Sequence, residues 1–409
     1  MNSLKQVINT RPKLGFILYD FANSAYILIF NSYLFPLFIK DKYSAQVQNI
    51  DFLWGLLLSI SLVIALIASP FIGNWADNKN ERRYFLAISV MITISGLLLL
   101  SFIPYENIYI YSTLFIITNC VFTISLSLYD SLISHVSNHS ERNKLSGLAW
   151  GFGYLGGVVC LILIMAISNT KPESSRIGFL ITSIFFALSS FVSLFLMKDL
   201  NETGFSVLNS RGNNTIPKIL FRNKHFLILL CGIWLISEGI DIVIYFTSLF
   251  GSSTLGITKL EIGKLLLLVQ ILAFPLTWLM TILSEKYSSL KILNLCVLIW
   301  SIVLVGFFFS SNYFHFTIIT ILTSFVIGTT QALLRGEYSK LMPEGSSSFY
   351  FGAFSILTRS ANIIGPLLFG LLSSITGSQK MGLLLIFLFF IIGIYFYNIA
   401  YKKLYSSIK

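Results

Sequence analysis

Apolar runs close to the length that crosses a bilayer recur along the chain, separated by short polar segments. They fall at 14–39, 52–75, 84–103, 108–133, 145–167 and 177–197. After a polar stretch at 198–224, a second series follows at 225–250, 260–284, 292–309, 316–339, 349–375 and 381–401. About twenty helical residues at ~1.5 Å each cover a hydrocarbon core of ~30 Å, and a helix satisfies its own backbone there. The pattern predicts an all-α membrane protein of about twelve transmembrane helices. They divide into two pseudo-symmetric six-helix bundles, 1–197 and 225–409, joined by a cytoplasmic connector at 198–224.

Only 11% of the 409 residues are charged, against about a quarter in soluble domains. Such a surface suits lipid. The net charge of +11 would suit nucleic acid if it formed a patch, yet the basic residues sit in short segments between apolar runs. Membrane topology accounts for them instead. The N-terminal segment, the even loops other than the sixth, the connector and the C-terminal tail hold 19 Lys and Arg, and the opposite loops, with Lys264 at the head of the eighth span, hold 7. Cytoplasmic loops carry such an excess, which assigns both termini and the connector to the cytoplasm. Asn138, Asn201 and Asn213 head glycosylation-type triplets on that side and read as chance matches. The basic segment from Met1 to Lys13 leads into an apolar stretch too long for a signal peptide and reads as an uncleaved first span.

Several chemistries find no support. Cys120, Cys160, Cys231 and Cys296 lie inside apolar runs without CxxC spacing, and the histidines do not cluster, so no disulfide or metal site is expected. No glycine loop leads into Lys-Ser/Thr, which argues against ATP-driven pumping and a bound cofactor. No paired acids or His-rich group marks a membrane enzyme.

Two sets of six spans suggest an internal duplication. Asp20 and Asn23 in span 1 correspond to Glu238 and Asp241 in span 7, at the same spacing. Gly73 and Asp77 correspond to Thr281 and Glu285, and Gly147 to Gly352; on that last register Asp130 falls opposite Arg335 and Tyr154 opposite Arg359.

The segment from Gly73 through Asp77 to the pair Arg82 and Arg83 resembles the loop signature of the major facilitator superfamily, although Asn80 and Glu81 stand near where that pattern has a glycine. Glycine there lets helix ends approach, the aspartate accepts hydrogen bonds from a helix end, and the arginines anchor the cytoplasmic face. Four further strings resemble one branch of that superfamily. They are Tyr19-Asp-Phe-Ala-Asn-Ser-Ala-Tyr26, Ser146-Gly147-Leu-Ala-Trp150-Gly-Phe-Gly-Tyr154-Leu-Gly156-Gly157, Gln331-Ala-Leu-Leu-Arg335, and Gly365-Pro366-Leu-Leu-Phe-Gly370 with Arg359 before it. The branch includes bacterial permeases and the fungal vacuolar effluxer that exports amino acids during autophagy. The resemblance covers nearly the whole chain. It implies the twelve-helix facilitator fold, a carrier function, a central cavity lined by spans 1, 4, 7 and 10, and an amino-acid-like substrate.

An ionisable group at membrane depth costs about 2.5 kcal/mol or more, so it needs a partner or a water-filled cavity. Asp20 lies roughly 10 Å in from Lys13, Glu238 roughly 20 Å in from Lys224, and Arg359 roughly 15 Å in from Phe349. In the functional reading, Asp20 and Glu238 bind protons or cations while Arg335 and Arg359 bind anions. In the structural reading these charges pair with one another and hold the bundles together. Asp241 sits one turn further along, and Arg335 is near enough to Lys340 to snorkel to the surface. Asn23 and Gln331 serve either a solute or an interhelical hydrogen bond. Asp130 and Glu337 read as gate or surface ion pairs. The span-5 glycines read as close helix packing or flexing, and Pro36, Pro70, Pro275 and Pro366 as kinks.

These features together predict a secondary active transporter of a small solute, monomeric, with protons as candidate coupling ions and the lipid bilayer as its solvent. A bacterial cytoplasmic membrane suits the short loops. The alternative is a receptor or scaffold that keeps the carrier fold without transporting.

Overall fold

The computed structural model describes residues 10–104, 106–137, 142–168, 174–200, 224–340 and 347–408. Among them run twelve helices and no strand. They are α1 (Arg11–Tyr43), α2 (Ile50–Lys79), α3 (Arg82–Phe102), α4 (Ile108–Val136), α5 (Arg142–Ser168) and α6 (Ser174–Leu196), then α7 (Lys224–Thr254), α8 (Lys259–Tyr287), α9 (Ser289–Phe309), α10 (Tyr313–Lys340), α11 (Ser347–Thr376) and α12 (Gln379–Ile408). Eleven are long and apolar enough to cross a membrane, and α11 carries the shorter apolar stretch Ile363–Thr376. Most of the connector lies outside the described residues, as do Asn138, Asn201 and Asn213.

Several helices begin where local chemistry dictates. Asn107 caps α4 by accepting from the Tyr109 amide at 2.9 Å. Thr258 and Glu261 form a reciprocal capping box on α8: the Thr258 hydroxyl accepts from the Glu261 amide, and the Glu261 carboxylate accepts from the Thr258 amide at 3.0 Å. Asn312 does the same service for α10 through the His315 amide. Exposed Ile67, Phe71, Leu188, Phe195 and Leu298 cover helix faces, as expected where the solvent is lipid. Pro70, Pro275 and Pro366 sit inside continuous helices, without a break in the chain.

The chain separates into two compact units. Unit 1 comprises Met1–Gln48, Ile60–Leu208 and Thr258–Ile271; unit 2 comprises Asn49–Ser59, Asn209–Ile257 and Leu272–Lys409. The first turns of α8 therefore belong to unit 1, and the first turns of α2 to unit 2. In unit 1, Lys259 of α8 pairs with Asp41 of α1 at 2.5 Å and donates to Ser175 of α6 at 3.2 Å, while Tyr33 donates to the Lys259 carbonyl at 2.8 Å. In unit 2, Asp51 of α2 accepts from Ser373 of α11 at 2.5 Å and from Gln379 of α12 at 2.7 Å. Gln379 in turn accepts from Thr254 of α7 at 2.6 Å, and the Trp54 indole donates to the Tyr245 carbonyl at 3.0 Å.

In α1 the α-helical winding of Arg11–Ala25 gives way over Tyr26–Leu34 to π-helical winding, before α-helix resumes at Phe35–Tyr43. The Ser32 hydroxyl donates to the Ile27 carbonyl five residues earlier. π-helical turns are rare and concentrate at functional positions, because they forfeit the tighter packing of the α-helix. Tertiary contacts hold this one. Asn31 donates to Asn119 of α4 at 2.9 Å, and Asn119 donates to Ser61 of α2 at 2.7 Å, all three being buried. Around them Tyr26 stacks on Phe122 with ring centroids 3.8 Å apart, and Phe35 stacks on Phe115 at 4.3 Å.

This relay predicts a specific non-additivity. Replacing Asn119 by Leu strands the Asn31 amide and should cost about 1–2 kcal/mol. The double replacement of Asn31 and Asn119 by Leu should cost less than the two single changes summed. Thermal unfolding of the purified protein in detergent reads both quantities, and strict additivity would contradict the relay.

Candidate functional site

The candidate residues of unit 1 gather on α1 and α4. Asp20 is half-buried and Asn23 is buried, and neither amide atom of Asn23 has a hydrogen-bond partner among the described residues. The helix is held in place around them by its neighbours' backbone-seeking hydroxyls. Tyr129 of α4 donates to the Phe16 carbonyl at 3.0 Å, Ser193 of α6 donates to the Gly15 carbonyl at 2.6 Å, and Tyr19 donates to Ser125 of α4 at 3.1 Å. Phe16 and Tyr19 pack on Tyr129, with centroids 4.2 and 4.7 Å away. Asp20 and Asp130 both lie within electrostatic range of Tyr19 and Tyr129. Asp130 itself is exposed.

The span-5 glycines act on this same stretch. A Cβ at Gly156 would fall on the Phe21 carbonyl, and one at Gly153 would meet the Ser24 hydroxyl and the Asp20 carbonyl. α5 thus lies backbone to backbone against the segment carrying Asp20 and Asn23. Close packing is what these two glycines supply.

In unit 2 the matching helix is α7. Glu238 is 0% exposed, and neither carboxyl oxygen has a hydrogen-bond partner among the described residues. Asp241 is half-buried and acts electrostatically on Glu238 and on Tyr245. On α10, Gln331 and Arg335 are half-buried, whereas Glu337 is buried and accepts from Tyr401 of α12 at 2.8 Å. Arg359 lies on α11 with its side chain outside the described residues. The register expected from a duplication holds for helix order but not for burial. In α1 the second member of the pair, Asn23, is the buried one; in α7 it is the first, Glu238.

The loop-signature residues are placed at the α2–α3 junction. Gly73 has no neighbour close to where a Cβ would stand, and the Asp77 side chain lies outside the described residues. Asn80 takes a positive φ of 53°, a conformation asparagine tolerates better than most residues and one that turns the chain between the helices. Arg82 is buried and contacts the His135 ring at 2.7 Å, so the imidazole nitrogen accepts from the guanidinium. Arg83 donates to the Met197 carbonyl at the end of α6 at 3.1 Å. These arginines tie α3 to α4 and α6 within unit 1. Among the described residues no group of three or more His, Cys, Asp or Glu side chains is gathered to hold a metal.

Residues 14–366 match the Major Facilitator Superfamily. The chain belongs to that superfamily. This facilitator is 27% identical over 406 residues to the uncharacterized MFS-type transporter YxiO of Bacillus subtilis (strain 168), covering 94% of each chain. It is 23% identical over 327 residues to Autophagy-related protein 22 of Kluyveromyces lactis, covering 71% of this chain and 66% of that one. The crystal structure of a bacterial homolog to the human lysosomal transporter Spinster, inward-facing and unoccupied, aligns with a TM-score of 0.70 at 14% identity, over 97% of this chain and 96% of that one. That likeness is one of fold. The superfamily and the helical membrane fold read from the sequence are borne out, and the chain is a membrane transporter that sits in the lipid bilayer and takes a small-molecule substrate.

Inspection of the sequence passed over Asn31 and Asn119, although two amides inside apolar runs were there to be seen. All three are buried, but Asn31 and Asn119 hydrogen-bond each other, whereas neither amide atom of Asn23 has a partner among the described residues. Asn23→Ala should therefore change stability by less than about 0.5 kcal/mol while reducing transport. Unfolding and flux measured on one preparation check this, and an equal loss in both would make Asn23 a structural residue.

Proposed function

We propose that this facilitator is a secondary active transporter that couples proton movement to the passage of a small amino-acid-like solute by alternating access. The observation that carries the reading is Glu238, an acid at membrane depth with 0% exposure and no hydrogen-bond partner among the described residues. An acid placed so is functional by default, since a purely structural role would supply it with a partner. In this reading Glu238 carries the proton, Asp20 and Asp241 assist it, and Asn23 and Gln331 hydrogen-bond the solute. Arg335 and Arg359 receive its anionic group. Acids and arginines together suit a zwitterion.

Gly73, Asp77, Arg82, Arg83 and Asp130 serve as a gating or cytoplasmic loop signature, and the helices divide into the bundles 1–197 and 225–409. The charge bias of the loops supports cytoplasmic termini, and the short loops and the Bacillus relative support a bacterial cytoplasmic membrane. The protein works as a monomer.

Comparison of metabolite pools in cells with and without the gene identifies the solute, and proteoliposomes then test the coupling. An imposed proton gradient should drive accumulation by the wild type. Glu238→Gln should abolish that accumulation and preserve solute exchange. Wild-type accumulation by this variant would sink the proton role.

A further inference from the structure

Glu238 owes its position to a missing side chain on another helix. A Cβ built at Gly365 of α11 would fall on the Glu238 Oε2 atom and meet Ile242 Cδ1 at 2.8 Å. The carboxyl therefore rests directly on the α11 backbone, in space that any other residue at 365 would fill. The next residue, Pro366, has no N–H, so the carbonyl four residues earlier loses its helical donor and the helix bends more readily there.

The α2 segment holds the same turn of α11. Ser59 donates to the Ile363 carbonyl at 2.5 Å, and a Cβ at Gly55 would fall on the Pro366 carbonyl. All of these residues belong to unit 2. Asp241 is the charged group that acts on Glu238 among the described residues; Gly239 beside it packs on the Phe390 ring of α12. Arg359 lies six residues before Gly365 on α11, its side chain outside the described residues.

We propose that Gly365 is a positioning residue for the coupling acid, forming a seat that accepts the neutral carboxyl of Glu238 and rejects the ionised one. An ionised carboxyl on this seat would be wholly enclosed and beside the like charge of Asp241, and such burial is strongly disfavoured. Loss of the proton drives the carboxyl off the seat, and the Gly365–Pro366 turn, with its contact to α2, moves with it. The inference rests on Glu238 as the proton carrier, and it adds the element through which that proton is felt.

Labelling with dicyclohexylcarbodiimide, an apolar reagent for buried carboxyls, tests the seat on the full chain in detergent, with adducts at position 238 quantified by mass spectrometry. The seated wild-type carboxyl, neutral and in apolar surroundings, is the form that reacts and should label readily. Gly365→Ala should slow labelling about tenfold or more, as one overpacked methyl group displaces the acid from the seat that keeps it neutral. Adding Glu238→Asp to that variant shortens the acid and should return labelling toward the wild-type rate, a rescue that a general packing defect would not show. Gly370→Ala, on the same helix but facing Asp51 and Phe52 of α2, should leave position 238 as in the wild type. An unchanged rate in Gly365→Ala, an equal fall in Gly370→Ala, or failure of the rescue would overturn the seat while leaving the proton role standing. Undiminished gradient-driven accumulation by Glu238→Gln would remove the proton role and leave the labelling result as it is.

Discussion

Hydrocarbon offers no hydrogen bonds, so every polar group taken into it must be matched by another group of the same chain or by water that enters with a purpose. Twelve helices satisfy the backbone, and side-chain hydroxyls repeatedly turn back to carbonyls of their own or a neighbouring helix. Asn31 donates to Asn119, and Asn119 donates to Ser61, across three helices. Glu238 and Asn23 are among the side chains whose polar atoms are buried and unmatched among the described residues.

The same constraint explains the shape of α1. Its polar face must meet Asn119 on one side while its small-residue face lies against the glycines of α5 on another. Uniform α-helical winding spaces side chains by a fixed angle. The π-helical stretch changes that angle midway, and so resets which residues of the outer part point at which neighbour. The winding defect is the local consequence of two packing demands that one regular helix does not meet.

Sequence duplication predicted that corresponding helices would carry corresponding groups. Helix order follows that expectation, yet the buried member of the pair differs between α1 and α7. In α7 the acid is accommodated because α11 presents Gly365 to it, whereas α1 meets Gly153 and Gly156 of α5 with its own backbone. The buried group is thus a neutral amide in α1 and an acid in α7.

Hydropathy, charge bias and local strings determined the membrane location, the helical fold and the superfamily, because these depend on composition over twenty-residue windows and on short contiguous motifs. The intramembrane acids were visible too, being rare residues in apolar runs. Sequence could not rank them. Whether Asp20, Asn23, Glu238 or Asp241 is buried, and whether each finds a partner, depends on residues far along the chain, such as Gly365 for Glu238. Nor could it foresee that the first turns of α2 and α8 join the units they do, or that α1 changes its winding. Those outcomes come from side chains meeting across helices, and only the tertiary structure brings them together.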